Sequence, residues 1–138
     1  MKVDFIRKYW PHLEVVGTFH SHPYENLEQA KSVRGWQASE DDESFWPYIH
    51  QSLFPQTPFL AHFIVTVAAL GRTGTAYPTQ IENNSGYELS MGRRKVWVTS
   101  YATASLDEGD EVIFSLMQKP RLDIPSLAIR TFEGNYRR

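Results

Sequence analysis

The most apolar segment of the chain, Phe59 to Leu70, limits the folds that this sequence can adopt. It is interrupted by His62 and is well short of the roughly 20 apolar residues that a membrane-spanning helix needs. An apolar run of this length is typical of a strand inside a sheet, and Gly71 and Gly74 follow it as turn residues. We therefore predict a buried central strand over Phe59 to Ala69.

The flanking sequence predicts both helices and strands. Apolar spacing predicts a short helix over Val3 to Trp10, and β-branched residues predict a strand over Leu13 to His20. Pro23 to Ala38 is polar and is interpreted as an irregular loop with a helical turn. An amphipathic helix is predicted after Ser39, and Pro47 is tolerable only early in it. Further strands are predicted near Tyr87 to Leu89, Lys95 to Tyr101 and Glu111 to Met117.

The size and composition of the chain fit one folded domain. Its 138 residues are 22% charged and carry a formal net charge of −2, so neither a broad basic surface for nucleic acid nor a disordered chain is expected. The chain has no cysteine, which restricts any metal site to His, Asp and Glu ligands. With no repeat, linker, apolar signal segment or membrane span, we expect residues 1–138 to form a single cytoplasmic α/β (α+β) domain, with a mixed central β-sheet flanked by helices.

Two histidines follow the predicted Leu13 to His20 strand closely enough to act together. His20 and His22 are two residues apart, so both imidazoles would project from the same face of the strand. Both could then reach one ion at the roughly 2.0–2.1 Å of a zinc–nitrogen bond. We expect Pro23 to end the strand and to leave the pair at a rim of the sheet, where substrate can enter.

A third ligand and a polar helper follow in Ser39-Glu40-Asp41-Asp42. Asp42 would lie in the first turn of the predicted helix, where the helix dipole stabilises an ionised carboxylate. A catalytic zinc ion typically has three protein ligands, so Asp42 could complete a site with His20 and His22. Ser39 could offer its hydroxyl to an oxyanion near the metal. Each half of the pattern has an ordinary alternative, because a His-x-His pair often only packs and Ser-x-x-Asp is a common capping box.

The segment Val16-Gly17-Thr18-Phe19-His20-Ser21-His22-Pro23, followed by Ser39-Glu40-Asp41-Asp42, resembles the JAMM motif of MPN/JAB-domain zinc metallopeptidases. That motif runs His-x-His-Pro, a spacer and Ser-x-x-Asp. The resemblance implies that His20, His22 and Asp42 bind one Zn²⁺ ion, that Ser39 stabilises the oxyanion, and that the fold is an MPN/JAB-like domain. Many members of the family cleave peptide or isopeptide bonds at the C-terminus of ubiquitin or ubiquitin-like proteins.

The sequence departs from the family pattern in two places. The spacer from Tyr24 to Ala38 is longer than the family's usual one, which implies an inserted loop. The family's general base is a glutamate on a strand well before the histidine strand, and the few residues before Leu13 imply an N-terminally shortened domain without it. Glu14 is too far along the strand from the histidines, and helix geometry turns Glu40 and Glu43 away from the site. The general base is therefore unassigned.

These residues favour a zinc-dependent metallopeptidase or isopeptidase-like hydrolase that acts on a protein or peptide tail, ubiquitin-like in many relatives. The unassigned base leaves three explanations open: an incomplete reading frame, a catalytically inactive relative, or a glutamate supplied by a neighbouring copy in a homo-oligomer. A non-catalytic MPN-like module that binds a protein partner through Pro23 to Ala38 is the second hypothesis. A two-metal phosphoesterase fits less well, because few acidic ligands are visible.

The remaining aromatic and histidine residues are predicted to be structural. His12, His50 and His62 have no ligand partner at useful spacing, and Trp36, Trp46 and Trp97 are expected to pack rather than to form a site. The closing Tyr136-Arg137-Arg138 is expected to be a mobile end.

Overall fold

The computed structural model describes residues 3–127, which adopt a mixed α+β arrangement with one six-stranded sheet. The helices are α1 (Val3–Tyr9), α2 (Leu27–Ser32) and α3 (Glu40–Leu53). The strands are β1 (Gly17–Tyr24), β2 (Phe59–Ala69), β3 (Ala76–Ile81), β4 (Gly86–Met91), β5 (Arg94–Glu108) and β6 (Glu111–Leu116). Their order is β1-β2-β5-β4-β3, with β6 also paired to β5. The sheet is mixed, because β1 and β2 are parallel and the other pairs are antiparallel.

The strand β2 has the bounds that the apolar run predicted, Phe59–Ala69. Its even-numbered residues are buried and belong to clusters with the helices: Leu60 with α1 and the end of α3, Ile64 with α3, and Ala68 with α2. The odd-numbered residues on the other face are partly or largely exposed. Within the described residues these helices therefore pack on one face of β2, and the predicted buried strand is buried on that face.

The strand β1 begins and ends later than predicted. It spans Gly17–Tyr24, so the predicted bounds of Leu13 to His20 are wrong, and so is the prediction that Pro23 ends the strand. β1 is an edge strand, and the amide of Ala61 on β2 donates to the carbonyl of Val16. Since alternate residues direct their backbone groups to opposite sides, the missing N–H of Pro23 lies on the open edge, where it costs no ladder hydrogen bond.

Two more differences involve proline. The strand β3 was not predicted. Pro78 lies inside it, and β3 is the other edge of the main sheet, where proline is tolerated. Pro47 lies inside α3, about two turns after its start, so the prediction that it fits only early in the helix is wrong. The carbonyl that loses an amide partner there belongs to exposed Glu43, where water can bond it.

The other predicted elements are present. α1, α3, β4, β5 and β6 all overlap their predicted ranges, and α2 forms the helical turn expected within the polar loop. The predicted mobile end, Tyr136 to Arg138, lies outside the described residues. No helix within residues 3–127 is both long enough and apolar enough to cross a lipid bilayer.

Candidate metal centre

The strand β1 presents His20 and His22 on the same face, as their spacing predicts. Phe19, Ser21 and Pro23 are exposed, whereas the two histidines are partly buried. The side chains of His20 and His22 retain 36% and 22% of their surface exposed, so both ligands are held by packing yet remain open to solvent.

The third predicted ligand, Asp42, is fixed by the start of α3. Ser39 is the N-cap residue, and its Oγ accepts a hydrogen bond from the Asp42 amide at 3.1 Å. In return, Asp42 Oδ2 accepts from the Ser39 amide at 2.9 Å. The capping box is therefore present and serves the site, because it holds one carboxylate oxygen and leaves Oδ1 free to bind.

The three side chains converge on one point. His20 Nε2 lies 3.0 Å from His22 Nε2 and 3.1 Å from Asp42 Oδ1, and His22 Nε2 lies 3.6 Å from Asp42 Oδ2. Ligand atoms of a tetrahedral zinc ion with bonds of 2.0–2.1 Å are about 3.3 Å apart. The observed separations lie on either side of that value. Within residues 3–127, His20, His22 and Asp42 form the one group of three or more ligating side chains that could hold a metal ion.

His22 is oriented by a backbone carbonyl. Its Nδ1 lies 2.8 Å from the carbonyl oxygen of Gly35, and because a carbonyl only accepts, Nδ1 carries the hydrogen and Nε2 keeps its lone pair. Thr66 on β2 donates a second hydrogen bond to the same oxygen, at 3.0 Å. A carbonyl that holds the second nitrogen of a histidine is the usual support of a metal ligand.

Gly35 belongs to a short connection, the 35–38 loop, that is hydrogen-bonded to side chains of strand β5. A Cβ atom on Gly35 would overlap the ring of Tyr24, so any larger residue there must displace that ring. Thr99 Oγ1 donates to the Trp36 carbonyl at 2.7 Å, and the Ala38 amide donates to the Tyr101 hydroxyl at 2.9 Å. Burial raises the pKa of Tyr101, so the hydroxyl that accepts this bond remains protonated.

Within residues 3–127, no glutamate is part of the ligand group. Glu14, Glu40 and Glu43 are exposed, and none of them makes a hydrogen bond or ion pair with His20, His22 or Asp42. The general base therefore stays unassigned.

Five of the six histidines and tryptophans that were predicted to be structural pack against other side chains, whereas the sixth, His12, is exposed. His50 and His62 are fully buried and share the hydroxyl of Thr103, and Trp46 stacks on His62 with ring centres 4.9 Å apart. Trp46 also lies 6.1 Å from the ring of His20, which makes it a wall of the metal centre. Its position four residues after Asp42, on the same face of α3, was the sequence signal for this role. Trp36 and Trp97 stack on each other at 5.3 Å.

The fold and the site together define an α+β protein with a candidate centre of two histidines and one aspartate. Comparisons of the chain with protein-family models, with curated proteins and with solved structures found no match. The interpretation of the centre therefore depends on the motif spacing and on the geometry of these side chains.

Proposed function

We propose that His20, His22 and Asp42 bind one zinc ion and that the chain is a JAMM-type, MPN/JAB-like metallopeptidase that acts in the cytoplasm. The observation that carries this proposal is the convergence of two imidazole nitrogens and one carboxylate: His20 Nε2 lies 3.0 Å from His22 Nε2 and 3.1 Å from Asp42 Oδ1, and His22 Nε2 lies 3.6 Å from the other carboxylate oxygen of Asp42. The Nδ1 atom of His22 is bound to a carbonyl, so its Nε2 presents a lone pair to this point. A cation at the centre would be bound by all three side chains.

The chain's own residues fit hydrolysis of a peptide or isopeptide bond in a protein tail, for which the resemblance suggests a ubiquitin-like protein. A bound zinc ion would polarise the scissile carbonyl and lower the pKa of a bound water molecule. Ser39 Oγ accepts from the Asp42 amide, which leaves its hydroxyl hydrogen free to bond an oxyanion. Ser39 is exposed, so a substrate can reach it.

The second candidate is a protein-interaction module that keeps the centre without turnover. Two observations favour it. No glutamate joins the ligand group within the described residues, and large apolar side chains are exposed on the face of the sheet opposite the helices. Phe19 is 79% exposed and Phe59 is 59% exposed, and Phe19 is paired in register with Phe63. Exposed apolar clusters of this kind often mark partner-binding surfaces.

Metal analysis of the purified chain tests the ligand assignment. Wild type and a His12→Ala control, which changes an exposed histidine outside the centre, should each carry about one equivalent of zinc. His22→Ala should carry almost none, because it removes one of the three ligands. A His22→Ala protein that retained a full equivalent would refute the assignment.

A cleavage assay distinguishes the peptidase from the interaction module. The zinc-loaded chain is incubated with a panel of peptides and with a ubiquitin dimer joined by an isopeptide bond. The peptidase proposal predicts cleavage that a chelator abolishes and that Ser39→Ala slows by about 100- to 1000-fold. A zinc-loaded protein that cleaves none of these substrates contradicts the peptidase proposal and supports the interaction module.

A further inference from the structure

Glu82 lies in the turn between β3 and β4, and its carboxylate accepts three hydrogen bonds. Oε2 accepts from Lys119 Nζ at 2.7 Å, and Oε1 accepts from Trp36 Nε1 at 3.1 Å and from Gln37 Nε2 at 3.2 Å. The bond from Lys119 is the largest cause of a lowered pKa at Glu82; partial burial opposes it, and the bonds from Trp36 and Gln37 add to it. The carboxylate is therefore ionised, and both of its oxygens accept hydrogen bonds.

The backbone at this turn is in an uncommon conformation. Glu82, Asn83 and Asn84 have φ values of 53°, 53° and 67°. Asparagine tolerates this left-handed region, whereas glutamate rarely adopts it. Ser85 closes the turn, since its amide and its hydroxyl both donate to the Glu82 carbonyl, at 3.2 and 2.7 Å. Strained backbone of this kind persists where the surrounding structure enforces it, often beside a functional site.

Two of the three donors to Glu82 belong to the 35–38 loop, which supports both sides of the metal centre. At one end of the loop, the Gly35 carbonyl accepts from His22 Nδ1. Directly after the other end, the Ser39 amide donates to Asp42 Oδ2. Glu82 is the one ionised side chain that bonds to this loop within residues 3–127.

We propose that Glu82 is a positioning residue for the metal ligands, an inference that rests on the proposed metal function of the centre. By holding the side chains of Trp36 and Gln37, it fixes the loop so that the Gly35 carbonyl stays bonded to His22. That bond keeps the lone pair of His22 Nε2 directed at the metal position. Glu82 acts through the geometry of the loop, since its own carboxylate bonds to none of the ligands.

The chain offers a matched control in Glu88 on β4. Its carboxylate accepts from Trp97 Nε1 at 3.2 Å and pairs with Lys95 at 3.4 Å. Glu88 therefore has an indole and a lysine as partners, as Glu82 does. It has no hydrogen bond to the 35–38 loop, which its partner Trp97 contacts only by stacking on Trp36. Glu88→Gln therefore measures how much metal binding changes when a carboxylate with such partners is lost. A larger change in Glu82→Gln measures the contribution of the hydrogen bonds to the loop.

The test is a titration of the full chain with Co²⁺, which gives a dissociation constant and the visible absorption of the bound cobalt. Glu82→Gln should weaken cobalt binding about tenfold and alter the absorption bands, because supports of metal ligands contribute at this scale. Glu88→Gln should keep the wild-type constant and bands. Wild-type behaviour of Glu82→Gln, or an equal loss in Glu88→Gln, would overturn the proposal. Should Glu82→Gln not fold, Trp36→Phe removes one donor and keeps the ring, with the same expected direction.

Failure of the metal function itself would look different, since the wild-type chain would then bind no cobalt. In that case the ¹⁵N NMR signals of His22 in the metal-free protein decide the role of Glu82. Wild type and Glu88→Gln should show the Nδ1–H tautomer that the Gly35 carbonyl selects, and Glu82→Gln should show a mixture of tautomers. A pure Nδ1–H tautomer in Glu82→Gln would overturn the proposal.

Discussion

Replacing Thr103 with valine should destabilise the fold by about 2–6 kcal/mol, because the change removes a hydroxyl that joins two buried histidines. Thr103 Oγ1 lies 2.8 Å from His50 Nδ1 and 2.9 Å from His62 Nε2. All three residues have no exposed surface. Water therefore cannot take the place of the lost hydroxyl.

The bond from His50 to the Thr57 carbonyl fixes the direction of every other hydrogen bond in this network. His50 Nε2 lies 2.6 Å from the Thr57 carbonyl, which can only accept, so neutral His50 carries its hydrogen on Nε2. Its Nδ1 then accepts from the Thr103 hydroxyl, and Thr103 in turn accepts from His62 Nε2–H. His62 Nδ1 is left to accept from Thr18, at 2.7 Å. Each donor in the chain thus has one acceptor.

The magnitude follows from the two groups that valine would leave without partners. Valine has nearly the shape of threonine, so the packing around position 103 is preserved. His50 Nδ1 loses its donor and His62 Nε2–H loses its acceptor. Each unsatisfied buried group costs about 1–3 kcal/mol, and the sum is about 2–6 kcal/mol.

Urea denaturation of the metal-free protein near pH 7.5 measures this cost. Thr66→Val is the matched control, because Thr66 is equally buried and its hydroxyl donates to the Gly35 carbonyl. That carbonyl keeps a second donor in His22, so the control should cost only about 1 kcal/mol. A Thr103→Val protein as stable as the control would refute the directional network.

Two further predictions concern acid and the site loop. Burial, and then the charges of His50 and His20, lower the pKa of His62 from 6.5 to about 4. As the pH falls, the unfolded chain therefore takes up this proton before the folded chain does. The free energy of unfolding should be highest above pH 6.5 and should decrease as the pH falls to about 4. A urea-denaturation profile that is flat over this range would contradict the prediction. Gly35→Ala should weaken zinc binding by about tenfold or more in a chelator competition, since its methyl group must displace the Tyr24 ring; wild-type affinity would contradict this.

The parts of the fold that could be predicted are those with a strong local pattern. The strand β2 was predicted with its bounds because the run is strongly apolar apart from His62, and α3 was predicted because acids and Ser39 precede a helical apolar spacing. The ligands His20, His22 and Asp42 also depend on local rules. Strand alternation places the histidines together, and the capping box fixes the aspartate at the helix start.

The parts that could not be predicted depend on tertiary position. Pro78 and Pro23 argue against strands in a sequence read alone, and only the topology shows that both lie on sheet edges. The bond between His22 and the Gly35 carbonyl joins residues from separate elements, and so does the bond from Thr66. The role of Glu82 was also invisible, since its contacts to the 35–38 loop span more than forty residues of sequence.

In the parallel pairing of β1 with β2, Gly17 lies opposite Ala61 and helps to set the alignment of the two strands. A Cβ atom at position 17 would lie 2.5 Å from the Ala61 oxygen, so the close approach of the two strands at this pair favours glycine. A slip of one residue would turn both histidines to the opposite face. In the observed alignment, His20 and His22 face Asp42. The ligands should be assembled in the metal-free chain, so the ion enters a site that the backbone has already built.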